Sequence, residues 1–302
     1  MIEDDTLDAA IAEQVIRAQF PGVCPAQVRW LGEGCDSTVF EAGAEWVFRF
    51  PKRSDVERQL LLEMRLLPIL ARLSPVAVPE YRFHGYPSAM YPHCFGGYRR
   101  IPGVPAIGVH SGTVPSDALA PVLARFLSWL HAFPPDEAIG LGVPQRHPAS
   151  IIDEARTEAL RDLEHMRAAA SDGPLEEWLT LLSAATSPHD ADISPVLVHG
   201  DFAAEHVLVD PETESITGVI DWSDVSVSDP SLDLAGVFHW GGQRLLDAVL
   251  RTYDGPADDA ALRRVRYLAA CRGVGDVVFG RETGRREYVE AGLRALTYAA
   301  SS

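Results

Sequence analysis

The chain has 302 residues, 47% of them hydrophobic and 23% charged, with 43 acidic residues against 26 basic ones. That length and composition exclude a stapled peptide and a disordered chain, and a formal charge of −17 disfavours nucleic acid or an anionic membrane as partner. The charge is uneven: residues 1–103 carry 13 acids and 11 bases and the remainder 30 acids and 15 bases, so the second part suits a cationic ligand.

In chain order, Leu7, Ile11, Val15 and Ile16 recur at helical spacing over residues 6–20, stopped by Pro21-Gly22. The period then shortens. Residues 28–50 read as three strands, with Gly32 and Gly34 in the first connection and Ala42-Gly43 in the second. Leu60, Leu61, Met64, Leu67 and Leu70 form a helical stripe over 56–73, with Pro68 expected to kink or end it. Residues 76–101 read as two more strands around a Pro87-Ser88 turn, and IPGVP, 101–105, reads as a linker. Beyond it, 117–132, 150–184, 244–253 and 260–279 read as helices. The expectation is an α/β protein of two lobes, a β-rich one over 1–103 and a mainly helical one over 104–302.

Four cysteines, Cys24, Cys35, Cys94 and Cys271, stand far apart with no C-x-x-C pair, which argues against a disulfide framework or a zinc ribbon. The start MIEDDTLDAA is acidic where a signal peptide is basic and then apolar, and no apolar run reaches 18 residues. A cytoplasmic protein is expected.

One segment breaks the helical pattern: short apolar strands VLV, HVLV and TGVI alternate with loops holding His199, Asp201, His206 and Asp221. Turn-capping aspartates and a core histidine would account for any one of these alone. The ordered set is what phosphoryl transfer requires: a carboxylate to orient an acceptor hydroxyl, and oxygen or nitrogen ligands to hold magnesium against phosphates.

HGDFAAEHVLVD followed by GVIDWSD and SDPSLDLA resembles the antibiotic phosphotransferases, the aminoglycoside and macrolide kinases, over nearly the whole chain. The resemblance implies a two-lobed protein-kinase-like fold and transfer of the γ-phosphate of GTP or ATP to an antibiotic hydroxyl, with magnesium. It casts Asp201 as the catalytic base, and His206 and Asp221 as the metal ligands. His206 stands where the family usually has Asn, as in the aminoglycoside 2″ enzymes and the macrolide kinases. His199 and Asp233 are expected to brace the loop.

In the first lobe GEGCDS, residues 32–37, resembles the nucleotide loop, which gives Gly32, Gly34 and Ser37 a place over phosphates. Arg49 stands where the family has a strand lysine and is expected to pair with Glu63; Lys52 lies on the opposite strand face. GGYRRIPG aligns Tyr98 with the back of the base pocket, which implies GTP over ATP, and places the Arg100 and Ile101 backbone at the guanine edge. An ordinary packed strand aromatic is the alternative for Tyr98.

The acceptor is expected to meet Asp201, Glu205, Phe238 and Trp240. DLAGVFHWGGQRLL resembles the macrolide kinases, whereas GEGCDS, PSAMYPHCFGGYRRIPGVP and FGRETGRREYVEAGL resemble the 2″ enzymes. An aminoglycoside therefore ranks first and a macrolide second. A metabolic kinase for a sugar, choline or homoserine ranks below both, as does a nucleotide-binding regulator with a degraded site. The expected partner is a small-molecule antibiotic, with no nucleic acid and no membrane, and the expected state is a monomer.

Overall fold

The computed structural model describes residues 7–23, 27–34, 36–109, 117–168, 175–184 and 193–301. Cys24 and Cys35 lie outside the described residues; Cys94 and Cys271 are free thiols. The chain divides after Ile101 into two compact units.

In the first unit, Asp8 caps the helix α1 (Ala9–Gln19) by accepting the Ile11 amide at 2.7 Å. The buried face of α1, Ala12, Val15 and Ile16, packs on an antiparallel sheet of β1 (Val28–Glu33), β2 (Ser37–Ala42), β3 (Trp46–Pro51), β4 (Tyr81–Gly85) and β5 (Phe95–Arg99), in the order β1-β2-β3-β5-β4. Phe40, Phe48, Phe50 and Phe95 fill the space between them, the Phe50 and Phe95 rings stacked at 4.6 Å. The helix α2 (Ser54–Leu70) runs through Pro68 and ends two residues past it, short of the expected Leu73. Proline removes one helical hydrogen bond, but Leu66, Leu67 and Leu70 are all buried, and their burial holds the last turn in place.

The second unit is mainly helical: α3 (Ala106–Val109), α4 (Ala120–His131), α5 (Pro135–Gly140), α6 (Pro148–Ala168), α7 (Leu175–Ala184), α8 (Ser231–Leu250), α9 (Asp259–Thr283) and α10 (Arg286–Ala300). Two small sheets interrupt the helices. β6 (Val104–Pro105), β8 (Val207–Val209) and β9 (Ile216–Val219) form one in the order β6-β8-β9, and β7 (Val196–Val198) pairs with β10 (Ser226–Ser228) in the other. The apolar triplets VLV thus become the strands that hold the loops containing His199, Asp201, His206 and Asp221. The helix expected over 244–253 belongs to the longer α8, which bends at Gly242, where φ is +64°.

Gly236 places α8 directly against the backbone of the loop after β7: a Cβ there would sit 1.5 Å from the Phe202 carbonyl oxygen. Gly236→Ala must push helix and loop apart. It is expected to cost about 1–3 kcal/mol, read by thermal unfolding; an unchanged Tm would contradict this packing.

Candidate active site

The loop after β7 is shaped by an aspartate that is distant in sequence. Asp233, fully buried in the first turn of α8, accepts the amides of His199 at 2.9 Å and Gly200 at 3.0 Å, one on each carboxylate oxygen, and faces His131 Nε2 at 3.1 Å. Gly200 has φ +89°, and a Cβ there would meet the Asp224 carbonyl oxygen at 2.1 Å, so only glycine suits the turn. The buried His199 ring donates from Nε2 to the Ile220 carbonyl at 3.1 Å, leaving Nδ1 to accept the Asp201 amide at 3.3 Å. Burial holds this imidazole below its ordinary pKa, which suits a neutral brace.

Asp201 emerges from that turn with about a third of its side chain exposed (34%). Its Oδ1 accepts Arg272 Nη1 from α9. Its Oδ2 lies 3.4 Å from His206 Nδ1, which donates to the Asp201 backbone carbonyl at 2.8 Å. Burial alone would raise the Asp201 carboxyl, but Arg272, then His206, more than reverse this and hold it well below the usual carboxylate range. For His206 burial is likewise outweighed, here by the carboxylates of Asp201, Glu205 and Asp221, which raise it.

Because Nδ1 of His206 donates to the loop backbone, its Nε2 faces Asp221 Oδ2 at 3.6 Å. Two donors at that separation can share one small cation, and the Nδ1 hydrogen bond sets the tautomer a ligand needs. Asp221 has φ +63°, a left-handed conformation uncommon outside glycine. Among the described residues no three His, Cys, Asp or Glu side chains are gathered for a metal. A two-residue set fits magnesium, which takes few protein ligands and completes its shell with phosphate and water.

Two acceptor expectations are corrected. Phe238 is 0% and Trp240 3% exposed: α8 is covered on nearly every side before Gly242, and Phe238 packs on the Tyr298 ring at 6.4 Å. Neither presents surface to a ligand. Glu205 is buried too, its Oε1 accepting Arg272 Nη2 at 2.6 Å. Arg272 is the residue that sequence reasoning missed. Its one signal was a cation in the run Leu268, Ala269, Ala270, Cys271, Gly273 and Val274, which is otherwise small or apolar and is buried throughout.

In the first unit Arg49 Nη1 pairs with Glu63 at 2.7 and 3.0 Å, as the strand–helix reading expects, and Tyr81 donates to the same carboxylate at 3.0 Å. The Tyr81 hydroxyl was not foreseen. Lys52 Nζ donates to the Gly34 carbonyl at 2.9 Å, and the Gly34 amide to Ser37 O at 3.0 Å, closing the turn. A Cβ at Gly32 or Gly34 would meet nothing within 4 Å, so packing does not demand these glycines, and space lies open for a group to approach the backbone. Tyr98 is buried on β5 with its ring 5.3 Å from that of Tyr81. The Arg100 amide donates to Glu45 O at 2.7 Å, so of its peptide groups only the carbonyl could meet a base edge.

Phosphoryl transfer calls for positioned charge and little covalent chemistry. A held carboxylate beside a pair of side chains able to share a cation, in a mixed α/β chain of two units, is what a phosphotransferase of the kinase-like class requires. Residues 27–268 match the model of the phosphotransferase enzyme family, and the chain belongs to that family. It is similar to the GDP and kanamycin complex of APH(2")-IIia, at 27% identity and a TM-score of 0.72 over 96% of this chain and 98% of that one. The apoenzyme of a macrolide 2′-phosphotransferase from Brachybacterium faecium gives 28% and 0.63 over 96% and 98%. The viomycin phosphotransferase of Streptomyces vinaceus is 28% identical over 197 residues, 64% of this chain and 66% of that protein.

Proposed function

We propose that this phosphotransferase moves the γ-phosphate of a nucleoside triphosphate to a hydroxyl of a cationic antibiotic, an aminoglycoside before a macrolide. The observation that carries the reading is the Asp201 carboxylate, fixed through Oδ1 with Oδ2 beside the His206–Asp221 pair. Oδ2 would accept the hydrogen bond of the attacking hydroxyl. A carboxylate held this acidic aligns the hydroxyl and takes its proton only as the new O–P bond forms and the bond to the nucleoside diphosphate breaks. His206 and Asp221 would hold magnesium, which when bound neutralises charge on the phosphates. Arg49, steadied by Glu63 and Tyr81, would grip phosphate, with Gly32 and Ser37 lending backbone amides while the Gly34 amide closes the turn on the Ser37 carbonyl.

The preference for an aminoglycoside rests on charge and on α8. The acidic second part attracts amines, and burial of Phe238 and Trp240 removes the aromatic surface expected for an apolar macrolide ring. The relatives' names carry kanamycin, viomycin and macrolides, all small-molecule antibiotics. A transfer assay across these three classes tests the reading. Turnover of a cationic drug supports it; turnover confined to macrolides overturns the ranking. Affinity for the cationic acceptor should also fall as salt rises from 0.05 to about 0.5 M, through screening.

GTP is the proposed donor, since the resemblance sets Tyr98 at the back of the base pocket, where its hydroxyl would obstruct the deeper position of an adenine. Tyr98→Phe should improve ATP use more than GTP use, and equal wild-type efficiencies with both nucleotides would rule this out. His206→Ala should raise the magnesium requirement or abolish transfer; a metal dependence identical to wild type would remove His206 from the ligand set.

A further inference from the structure

Arg272 has no part in the roles assigned so far, yet its guanidinium makes the contact that fixes the Asp201 carboxylate. It bridges two acids: Nη1 donates to Asp201 Oδ1 and Nη2 to Glu205 Oε1 at 2.6 Å. The Arg272 side chain is 24% exposed and that of Glu205 9%, and Glu205 Oε2 is buried as well, so the glutamate faces the arginine and not solvent. The fork of a guanidinium can hold two carboxylates in one plane, which an ammonium cannot. With Oδ1 engaged, turning the carboxylate about its last bond would break this contact, which favours Oδ2 on the side of His206.

We propose that Arg272 is the positioning residue of Asp201 and that Glu205 is the strut that aims Arg272, not a ligand of the acceptor. This rests on the reading of Asp201 as the group that orients the acceptor hydroxyl. It goes further in tying that orientation to a helix remote in sequence, α9, through one side chain. In this reading Arg272 acts through the carboxylate and is assigned no contact of its own with nucleotide or acceptor.

The test compares wild type, Arg272→Gln, Arg272→Lys, Asp201→Asn and the Arg272→Gln/Asp201→Asn double variant, with GTP, magnesium and whichever of kanamycin and viomycin is turned over faster. Arg272→Gln should lower kcat about 100-fold, the effect of a misplaced catalytic group, with the KM for nucleotide unchanged. Arg272→Lys should recover part of that loss. In the Asp201→Asn background Arg272→Gln should cost nothing further, because its effect passes through the missing carboxylate. A wild-type kcat in Arg272→Gln, or the same fold loss repeated on top of Asp201→Asn, would overturn the proposal. If the Gln variant does not fold, Arg272→Lys alone decides: an intermediate kcat supports the proposal and a wild-type kcat overturns it. A crystal structure of the Arg272 variant reads the same point without any acceptor. The Asp201 carboxylate should have turned from its seat, and an unmoved carboxylate contradicts the role. Undiminished turnover in Asp201→Asn would instead sink the proposed function, so the two failures are told apart.

Discussion

Asp201→Asn is expected to lower phosphoryl transfer by about 100- to 10,000-fold while nucleotide affinity changes no more than about twofold. The substitution is nearly isosteric, and its amide oxygen can still accept Arg272 Nη1, so the loop should keep its shape. What is lost is the second carboxylate oxygen, the acceptor of the incoming hydroxyl's proton; an amide nitrogen in its place would donate towards the hydroxyl oxygen and misdirect its lone pair. Nucleotide contacts proposed for Arg49 and the glycine turn belong to other residues and should survive. Steady-state transfer and direct nucleotide titration check the two halves separately. A variant that turns over like wild type would remove Asp201 from the chemistry.

The second large effect is expected at a residue that touches no substrate. Asp233→Ala leaves three groups without their acceptor: the buried His199 amide, the half-buried Gly200 amide and the buried ring of His131, which is also bound to Tyr253 at 2.6 Å. Orphaned buried donors and a broken buried pair together should cost about 3–5 kcal/mol. For a chain of this size that lowers Tm by roughly 10 °C. Transfer should fall as well, since the Gly200 turn that presents Asp201 is no longer pinned. Asp233→Asn offers only one acceptor oxygen where the native carboxylate serves the two amides with two, so it should fall between wild type and Ala. Thermal unfolding of both variants, run beside transfer assays, gives the order; equal stability of wild type and Ala would contradict the bracing role.

Local signals explain what could be read in the sequence. The strand–glycine–strand series, the helix that carries Glu63 and the VLV strands all rest on period and on turn residues, which act over a few positions. The Arg49–Glu63 pair was legible only through the resemblance, which sets Arg49 at the place of the family's strand lysine; the strand and the helix that follows it then bring residues 14 apart to one place. Arg272 and Asp201, 71 apart, meet only through tertiary packing, and nothing at either position names the other. The same holds for the Tyr81 hydroxyl on Glu63. Phe238 and Trp240 show the opposite error. An aromatic pair in a segment that resembles the macrolide kinases read as a ligand surface, but α8 continues to Leu250 with its first half covered nearly all round, and large apolar side chains there are core. Asp233 was read as a brace, and the structure adds which amides it holds.

The most direct measurement of the central claim is mass spectrometry of kanamycin, viomycin and a macrolide after incubation with the protein, GTP or ATP, and magnesium, with the Asp201→Asn variant run alongside. At least one cationic drug should gain the mass of a single phosphoryl group, on a hydroxyl and not an amine, at a rate that collapses in the variant. Nucleotide consumed with no drug modified above the variant's level would contradict the assignment.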